Sequence, residues 1–241
     1  MNKSKHLGKT IHILYTGQVP DRELLASMPA AMEMDCIPFI RTAPNEDPET
    51  LARLEELVVS NATVVLTSQK AVEWMATHVT VHPNWKIACM EGATFKKLQE
   101  LGWESLVNYT AGNGLSLAKE IATDPEVKEV FFLGSKLRLG NLPNTLRETG
   151  VTVHELVAYN TLPVQQELNK SYDGIVFLSP SAADSFFEQY ETDNTTVFFA
   201  IGNTTANAVK KYTGNKVVVA ENVLQETLFQ TIYNYYQSIW L

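Results

Sequence analysis

With 241 residues the chain is long enough for one large domain or two modest ones, and its 45% content of hydrophobic residues can supply a sizeable core. Nineteen Lys and Arg residues against 27 Asp and Glu residues give a net charge of −8. This acidic balance argues against a protein that binds the phosphate backbone of nucleic acids.

No part of the sequence is typical of a membrane or secreted protein. No window approaches the roughly 18 consecutive apolar residues of a membrane span, and the first residues do not form a signal peptide. The two cysteines, Cys36 and Cys89, stand far apart in apolar surroundings, where reduced thiols are expected rather than a disulfide or a metal site. We therefore expect a cytoplasmic protein that binds no membrane.

Short apolar strands alternate with helical patterns along the chain, which is typical of α/β proteins. The predicted strands are 11–15, 34–39, 62–67, 86–90, 105–107, 129–133, 152–159, 174–178, 196–201 and 216–220. The predicted helices are 70–77, 93–101, 115–122, 181–190, 205–212 and 226–236. Because the strands are apolar on both faces, we expect two doubly wound parallel sheets covered by helices.

An internal repeat indicates that the two sheets belong to similar domains. Residues 64–72 (VVLTSQKAV) and 175–183 (IVFLSPSAA) match in residue class at an offset of 111 positions. The same offset relates Thr94 to Thr205 in the next turn of each copy. A period this long is typical of a duplicated domain and not of a solenoid.

The breaks in the pattern predict that one domain is inserted into the other. Prolines interrupt the chain at Pro38, Pro44 and Pro48, and again at Pro163 just before the second copy. The first domain would comprise residues 1–40 plus 165–241, and the inserted second domain residues 43–160. The extended runs 37–42 and 158–162 would then lie side by side as a two-stranded connector.

Candidate ligand contacts lie where strands lead into helices, because doubly wound sheets bind ligands at the carboxyl ends of their strands. Free backbone N–H groups and the helix dipole at such turns suit carboxylates or phosphates. The alternative is that the hydroxyl side chains are ordinary helix N-caps, and the basic ones solvated helix residues. The candidates are Ser68, Lys70, Thr94, Asn113, Gly134, Ser135, Arg138, Ser179, Ser181, Gly202, Thr204 and Thr205.

Motifs for nucleotide, metal or covalent chemistry are missing from the sequence. The glycines at 112–114 and 134 lack the spacing of a P-loop or a dinucleotide fingerprint. His78 and His82 are four residues apart, but no cysteine or carboxylate cluster accompanies them. We therefore expect no metal ion.

Tyr159 lies in the predicted connector, within Ala-Tyr-Asn-Thr (158–161). Its position admits two interpretations. The ring packs in the connector, or the hydroxyl faces a ligand bound between the two domains.

Taken together, the ordered motifs resemble the uroporphyrinogen-III synthase family over the chain from about residue 10 to the end. The motifs are LTSQKAV (66–72), AGNG (111–114), FLGSKLR (132–138), LPNTL (142–146), AYNT (158–161), FLSPSAA (177–183) and AIGNTTA (200–206). The resemblance implies two similar α/β domains, one inserted in the other and joined by a two-stranded ladder.

The resemblance also implies an activity. It is the cofactor-free cyclisation of hydroxymethylbilane, a linear tetrapyrrole with eight carboxylates, with inversion of ring D and loss of water. Tyr159 matches the family tyrosine that hydrogen bonds to the leaving hydroxyl, and a tyrosine with a pKa near about 10 still carries its proton at neutral pH. Backbone N–H groups at helix N-termini would let an acidic protein bind this anion, and we expect a monomer.

The alternative function is a non-catalytic two-domain binding protein for an acidic small molecule. A periplasmic binding protein would be expected to carry an export signal, and a silent relative would be expected to lack Tyr159. The product isomer distinguishes these hypotheses from the enzyme.

Overall fold

The computed structural model describes residues 10–135 and 141–240. Eleven strands and nine α-helices are assigned in this part of the chain. The strands are β1 (Ile11–Tyr15), β2 (Met32–Cys36), β3 (Ile40–Pro44), β4 (Thr63–Leu66), β5 (Lys86–Met90), β6 (Val107–Ala111), β7 (Glu129–Ser135), β8 (Thr152–Pro163), β9 (Gly174–Phe177), β10 (Val197–Ala200) and β11 (Val217–Val219). The helices are α1 (Arg22–Ala26), α2 (Pro48–Val58), α3 (Gln69–His78), α4 (Ala93–Glu100), α5 (Gly114–Thr123), α6 (Asn141–Glu148), α7 (Pro180–Phe187), α8 (Asn203–Val209) and α9 (Gln225–Trp240).

The described residues form two compact units. The first extends up to Arg41 and resumes at Leu162, and the second is Thr42–Thr161. In the first unit the strand order is β11-β10-β9-β1-β2, and all pairings are parallel. In the second unit the order is β3-β8-β7-β4-β5-β6, with β4 to β8 paired in parallel.

Helices cover both faces of each sheet, as the apolar strands predict. Successive residues of a strand point to opposite faces, and along β4 Val64 and Leu66 pack in one apolar cluster while Val65 packs in another. In β1, Ile13 and Leu14 divide between two clusters in the same way. The prediction of two doubly wound parallel sheets is confirmed.

The two units are copies of one plan joined in a different chain order. The first residues of β4, α3, β5 and α5 lie 111 positions before those of β9, α7, β10 and α9. Numbered along this repeat, the five equivalent strands stand in the order 3-2-1-4-5 in both sheets, and β3 is a sixth strand at the edge of the second sheet. In the first unit, however, the fourth and fifth strands (β1 and β2) precede the second unit in the chain, whereas the first three follow it.

The chain passes between the units within two adjacent strands. β3 and β8 are neighbours in the second sheet, and each contains one of the points where the chain changes unit. Backbone hydrogen bonds join Asn45 N to Ala158 O and Val164 N to Phe39 O, so that the partners run in opposite order along the two segments.

Several elements differ from the sequence prediction. A strand predicted at 105–107 is wrong, because Glu104–Leu106 forms a 3-10 helix and β6 follows it. α1, α2 and α6 were not predicted. α2 begins at Pro48, where the fixed φ of proline suits the first helical turn and Asp47 accepts a hydrogen bond from Thr50 N, so this proline starts a helix instead of a loop.

Among the helices of the described residues, none combines the length and the apolar character that crossing a bilayer requires.

Candidate active site

The second sheet has a topological switch point between β4 and β7. From β4 the chain continues to β5 and β6 on one side, whereas β7 and β8 lie on the other side. The loops at the carboxyl ends of two such strands diverge and leave a crevice that suits a ligand. Ser68 follows β4 and Ser135 ends β7, so both predicted residues stand at this point.

Tyr159 reaches the same edge from β8. It pairs in register with Ser135 across β7 and β8, after a shift of register at Gly134. The phenol is half-buried, its ring packs against the apolar cluster under α3, and its hydroxyl donates to Ser68 Oγ at 3.1 Å. The structure thus brings together the proposed catalytic tyrosine and two predicted binding residues.

Hydroxyl groups line this edge in pairs. Ser68 Oγ also accepts from Ala71 N at 3.2 Å, which makes it the N-cap of α3. Ser135 Oγ lies 3.3 Å from Thr161 Oγ1. Thr161 was not among the predicted residues, although the run Ala-Tyr-Asn-Thr contains it. The sequence does not show the register of β8, which brings Thr161 next to Ser135.

The chemistry available here is hydrogen bonding and proton donation. Ser68 Oγ accepts from both Tyr159 and Ala71, and the Tyr159 proton is held in a neutral hydroxyl pair that a ligand acceptor can replace without leaving a buried charge. A tyrosine O–H is a proton donor at neutral pH.

Gly134 has a packing reason to be glycine. A Cβ at this position would lie 2.6 Å from Phe132 Cε1, closer than carbon atoms approach. The Phe132 ring fills that space and is itself buried in the second sheet. Gly134 therefore lets β7 reach the switch point beside an aromatic ring.

The helix N-termini at the carboxyl edges are of two kinds. Ser68, Asn113 and Ser179 each accept a hydrogen bond from the first turn of the following helix, as N-caps do. α4 and α8 instead begin after Gly92 and Gly202, and within the described residues neither has a side-chain cap.

The threonines of α4 and α8 are consequently not N-caps. The N-cap interpretation of Thr94, Thr204 and Thr205 is therefore wrong. Thr94 and Thr205 are buried inside the first turn, and Thr204 is exposed beside Thr205. Because glycine has no side chain, the first-turn N–H groups of α4 and α8 have neither an intrahelical acceptor nor, in the described part of the chain, a capping side chain.

The remaining predicted residues divide between surface positions and undescribed ones. Lys70 is 56% exposed and pairs with Glu73 at 2.8 Å, as a solvated helix residue does. Ser181 is half-buried in the first turn of α7. Arg138 lies outside the described residues.

The cysteines are not activated nucleophiles. Burial, with a smaller contribution from the charge of Glu91, raises the pKa of Cys89 to about 11. Burial and the charge of Asp35 also raise the pKa of Cys36. Both thiols are free, and in the part of the chain that the structure describes no cluster of His, Cys, Asp and Glu could hold a metal ion.

A groove of about 320 Å³ lies elsewhere in the first unit. It runs between α1, β2 and α9, and its lining includes Met28, Met34 and Phe229. None of the predicted site residues lines it. The volume of this groove is therefore no guide to the candidate site, which is identified from strand topology and hydrogen-bonding groups.

Comparison with protein families finds one match that covers most of the chain. The family described as "Uroporphyrinogen-III synthase HemD" matches residues 30–230.

Individual relatives agree with this match. A uroporphyrinogen-III synthase of Chlorobaculum parvum (strain DSM 263 / NCIMB 8327) is 34% identical over 92 residues, or 33% of this chain. The chain covers 37% of the length of that relative. A crystal structure of uroporphyrinogen-III synthetase from Helicobacter pylori 26695 is similar with a TM-score of 0.65 at 18% identity, over 93% of this chain and 99% of that one. A mutant uroporphyrinogen III synthase from the extremely thermophilic bacterium Thermus thermophilus has a TM-score of 0.63 at 18% identity, over 95% and 99%. The two structures show that the fold is shared.

Proposed function

We propose, since the chain belongs to the uroporphyrinogen-III synthase family, that it cyclises hydroxymethylbilane to uroporphyrinogen III with inversion of ring D and release of water. The enzyme is then a cyclising lyase of tetrapyrrole biosynthesis. The reaction is redox-neutral, so it needs no electron carrier.

Most of the driving force for this reaction resides in the substrate. The pyrrole nitrogen lone pair expels the terminal hydroxyl, whose oxygen leaves with the electron pair of the C–O bond and takes up a proton as water. The substituted carbon of ring D then attacks the exposed methylene to give a spiro centre. Reopening breaks the bond between this substituted carbon and the methylene of ring C, and the free α-carbon of ring D then attacks that methylene. Loss of the proton from this carbon restores the pyrrole, and ring D is inverted. The unaided product is the other isomer, so the main task of the protein is to hold the reacting conformation.

One acid role remains, and Tyr159 is the candidate for it. The position of its hydroxyl carries the proposal, because it lies at the carboxyl edge of the sheet and donates to the neutral acceptor Ser68 Oγ at 3.1 Å. In our mechanism this hydroxyl turns from Ser68 to the leaving oxygen and donates a hydrogen bond or its proton as the C–O bond breaks. Ser68 remains bonded to Ala71 N throughout.

The substrate carboxylates need donors that an acidic protein can supply. Backbone N–H groups provide local positive potential without net charge, which reconciles a net charge of −8 with an octa-anionic ligand. Asn113, Ser179 and Gly202 hold N-cap positions at strand-to-helix turns, and Thr94 lies in the first turn of α4, which supports these predicted residues as substrate contacts.

We also propose that the enzyme acts as a monomer in the cytoplasm. The unpaired thiols of Cys36 and Cys89 fit a reducing compartment. Light scattering on a size-exclusion column measures the oligomeric state, and fractionation of cells from the source locates the protein.

The isomer composition of the product tests the activity. Hydroxymethylbilane is generated immediately before use and incubated with the protein, with heat-denatured protein and with buffer. The products are oxidised and separated by chromatography. We expect the type III isomer to predominate only with native protein, in proportion to its concentration at short times.

An isomer mixture identical to the spontaneous control at high protein concentration would contradict the proposal. In that case, quenching of intrinsic fluorescence by the tetrapyrrole would identify a binding protein without turnover.

A further inference from the structure

The two copies of the internal repeat differ in residue type at the carboxyl edge of the first sheet. α5 and α9 are equivalent helices, beginning at residues 114 and 225. At the same offset of 111 positions, Gly112 and Asn113 before α5 correspond to Val223 and Leu224 before α9. A glycine and a capping asparagine in one copy are thus two apolar residues in the other.

Leu224 breaks a local rule that its counterpart obeys. Asn113 Oδ1 accepts a hydrogen bond from Ser116 N, the standard N-cap contact. Leu224 O accepts from Leu228 N, so Leu224 stands at the N-cap of α9, but its side chain has no atom that can accept a hydrogen bond. Leucine is among the least favourable N-cap residues. Positions that break a local rule in this way are where function is expected.

Both side chains face solvent at the predicted ligand edge. Val223 is 73% exposed and Leu224 is 56% exposed, so burial does not explain their apolar character. A Cβ at Gly202 would lie 3.4 Å from Val223 Cγ1, which places Val223 beside the turn that precedes α8. Through Val223, the apolar pair Val223–Leu224 therefore adjoins the proposed substrate-binding residue Gly202.

We infer that the pair Val223–Leu224 is an apolar platform for a pyrrole ring of the substrate. This inference rests on the proposed function. The substrate combines flat apolar rings with carboxylates, so a site that binds it needs apolar contacts as well as anion donors. Covering the two side chains removes apolar surface from water, which compensates for the missing N-cap only when the ligand is bound.

The test replaces Leu224 with the residue of the equivalent position. Leu224→Asn restores an N-cap acceptor and removes the apolar surface. We expect the thermal midpoint to stay constant or rise, while KM for hydroxymethylbilane rises about fivefold and kcat changes little, because uniform binding is lost. Leu224→Met keeps an apolar surface and should keep the wild-type KM.

Leu101→Asn is the matched control. Leu101 is also exposed, at 37%, but it follows the C-terminus of α4 and so lies at the far end of that helix from the ligand edge. We expect KM to be unchanged in this variant. Each kinetic measurement is accompanied by a melting curve and by light scattering on the same preparation.

The outcomes separate this inference from the proposed function. A wild-type protein that makes no type III isomer overturns the proposed function. If the wild-type protein makes the type III isomer and the Leu224→Asn variant has the same KM, the proposed platform is overturned and the proposed function stands. If Leu224→Asn changes the oligomeric state but leaves KM unchanged, the platform is also overturned. The pair Val223–Leu224 then belongs to an interface between copies of the chain.

Discussion

Replacing Tyr159 with phenylalanine removes one hydroxyl and keeps the ring that packs in the second unit. Among the residues that the structure describes, the hydroxyl makes one neutral hydrogen bond, to Ser68 Oγ at 3.1 Å. Ser68 retains its contact with Ala71 N, so the substitution leaves the cap of α3 in place. Tyr159→Phe therefore separates the chemistry of the hydroxyl from the packing of the ring.

The expected cost in stability is small. A hydrogen bond of this kind contributes about 0.5–1.5 kcal/mol net. For a chain of this size, each kcal/mol corresponds to about 2–4 °C in Tm. If the hydroxyl assists departure of the substrate oxygen, kcat should fall by about 10²-fold, at the low end for a general acid because the pyrrole nitrogen still drives ionisation.

The assay measures kcat, the product isomer and Tm on one preparation. Tyr109→Phe is the matched control in the same sheet. The Tyr109 hydroxyl donates to Asp124 Oδ2 at 2.6 Å, and Asp124 follows the C-terminus of α5, away from the ligand edge. This control should lower Tm at least as far, because hydrogen bonds to carboxylates are stronger, and it should retain kcat.

A Tyr159→Phe variant with a lowered Tm and a kcat within twofold of wild type would refute the reasoning. The hydroxyl would then be a packing contact with Ser68, and another group would have to protonate the leaving oxygen.

Three further predictions concern stability. A fragment of residues 43–160 should melt cooperatively by circular dichroism, whereas residues 1–120 should not, because both apolar clusters of the second sheet lie within the first fragment. Gly134→Ala should lower the free energy of unfolding by about 1–3 kcal/mol, since its Cβ would lie 2.6 Å from a ring carbon of the phenylalanine two positions earlier. Gly214→Ala, which has open space, is its control in urea denaturation. Asp124→Asn should lower Tm at pH 7, because the hydrogen bond from its tyrosine partner and one from a backbone N–H hold the pKa of this carboxyl below its usual range.

The sign of the last effect follows from linkage. A carboxyl whose folded pKa is depressed contributes stability above its unfolded pKa of about 3.9, and this contribution disappears as the pH falls through the folded pKa. The Tm difference between wild type and Asp124→Asn should thus shrink below about pH 4. A Tm difference that stays constant from pH 7 to pH 3 would contradict this account. For the fragments, a cooperative melt of residues 1–120 would contradict the inserted arrangement.

Much of the fold could be predicted from the pattern of apolar residues along the sequence. Runs that are apolar on both faces indicate strands buried between helices, and the period of 111 positions identifies two copies of one unit. The short helix α1 escaped prediction because five residues cover little more than one turn and none of its side chains is buried. α2 escaped because its first residue is Pro48, which was interpreted as a break.

The candidate site was predictable in kind but not in detail. Strand-to-helix turns are visible as Ser, Thr and Gly after apolar runs, so Ser68 and Ser179 were found and are N-caps. The pattern does not show which residue of a turn precedes the first helical N–H, and the N-cap alternative for Thr94 is wrong because Gly92 holds that position.

By itself the sequence determined the parallel α/β class, the duplication and the positions of several strand-to-helix turns, because these depend on periodicity and on residues adjacent in the chain. Only the tertiary structure decided that Tyr159 meets Ser68, 91 positions away. That contact requires β8 and β4 to lie on the two sides of β7, and the order of strands in a sheet is set by packing between distant segments. The same strand order puts Ser135 at the switch point and places it opposite Tyr159.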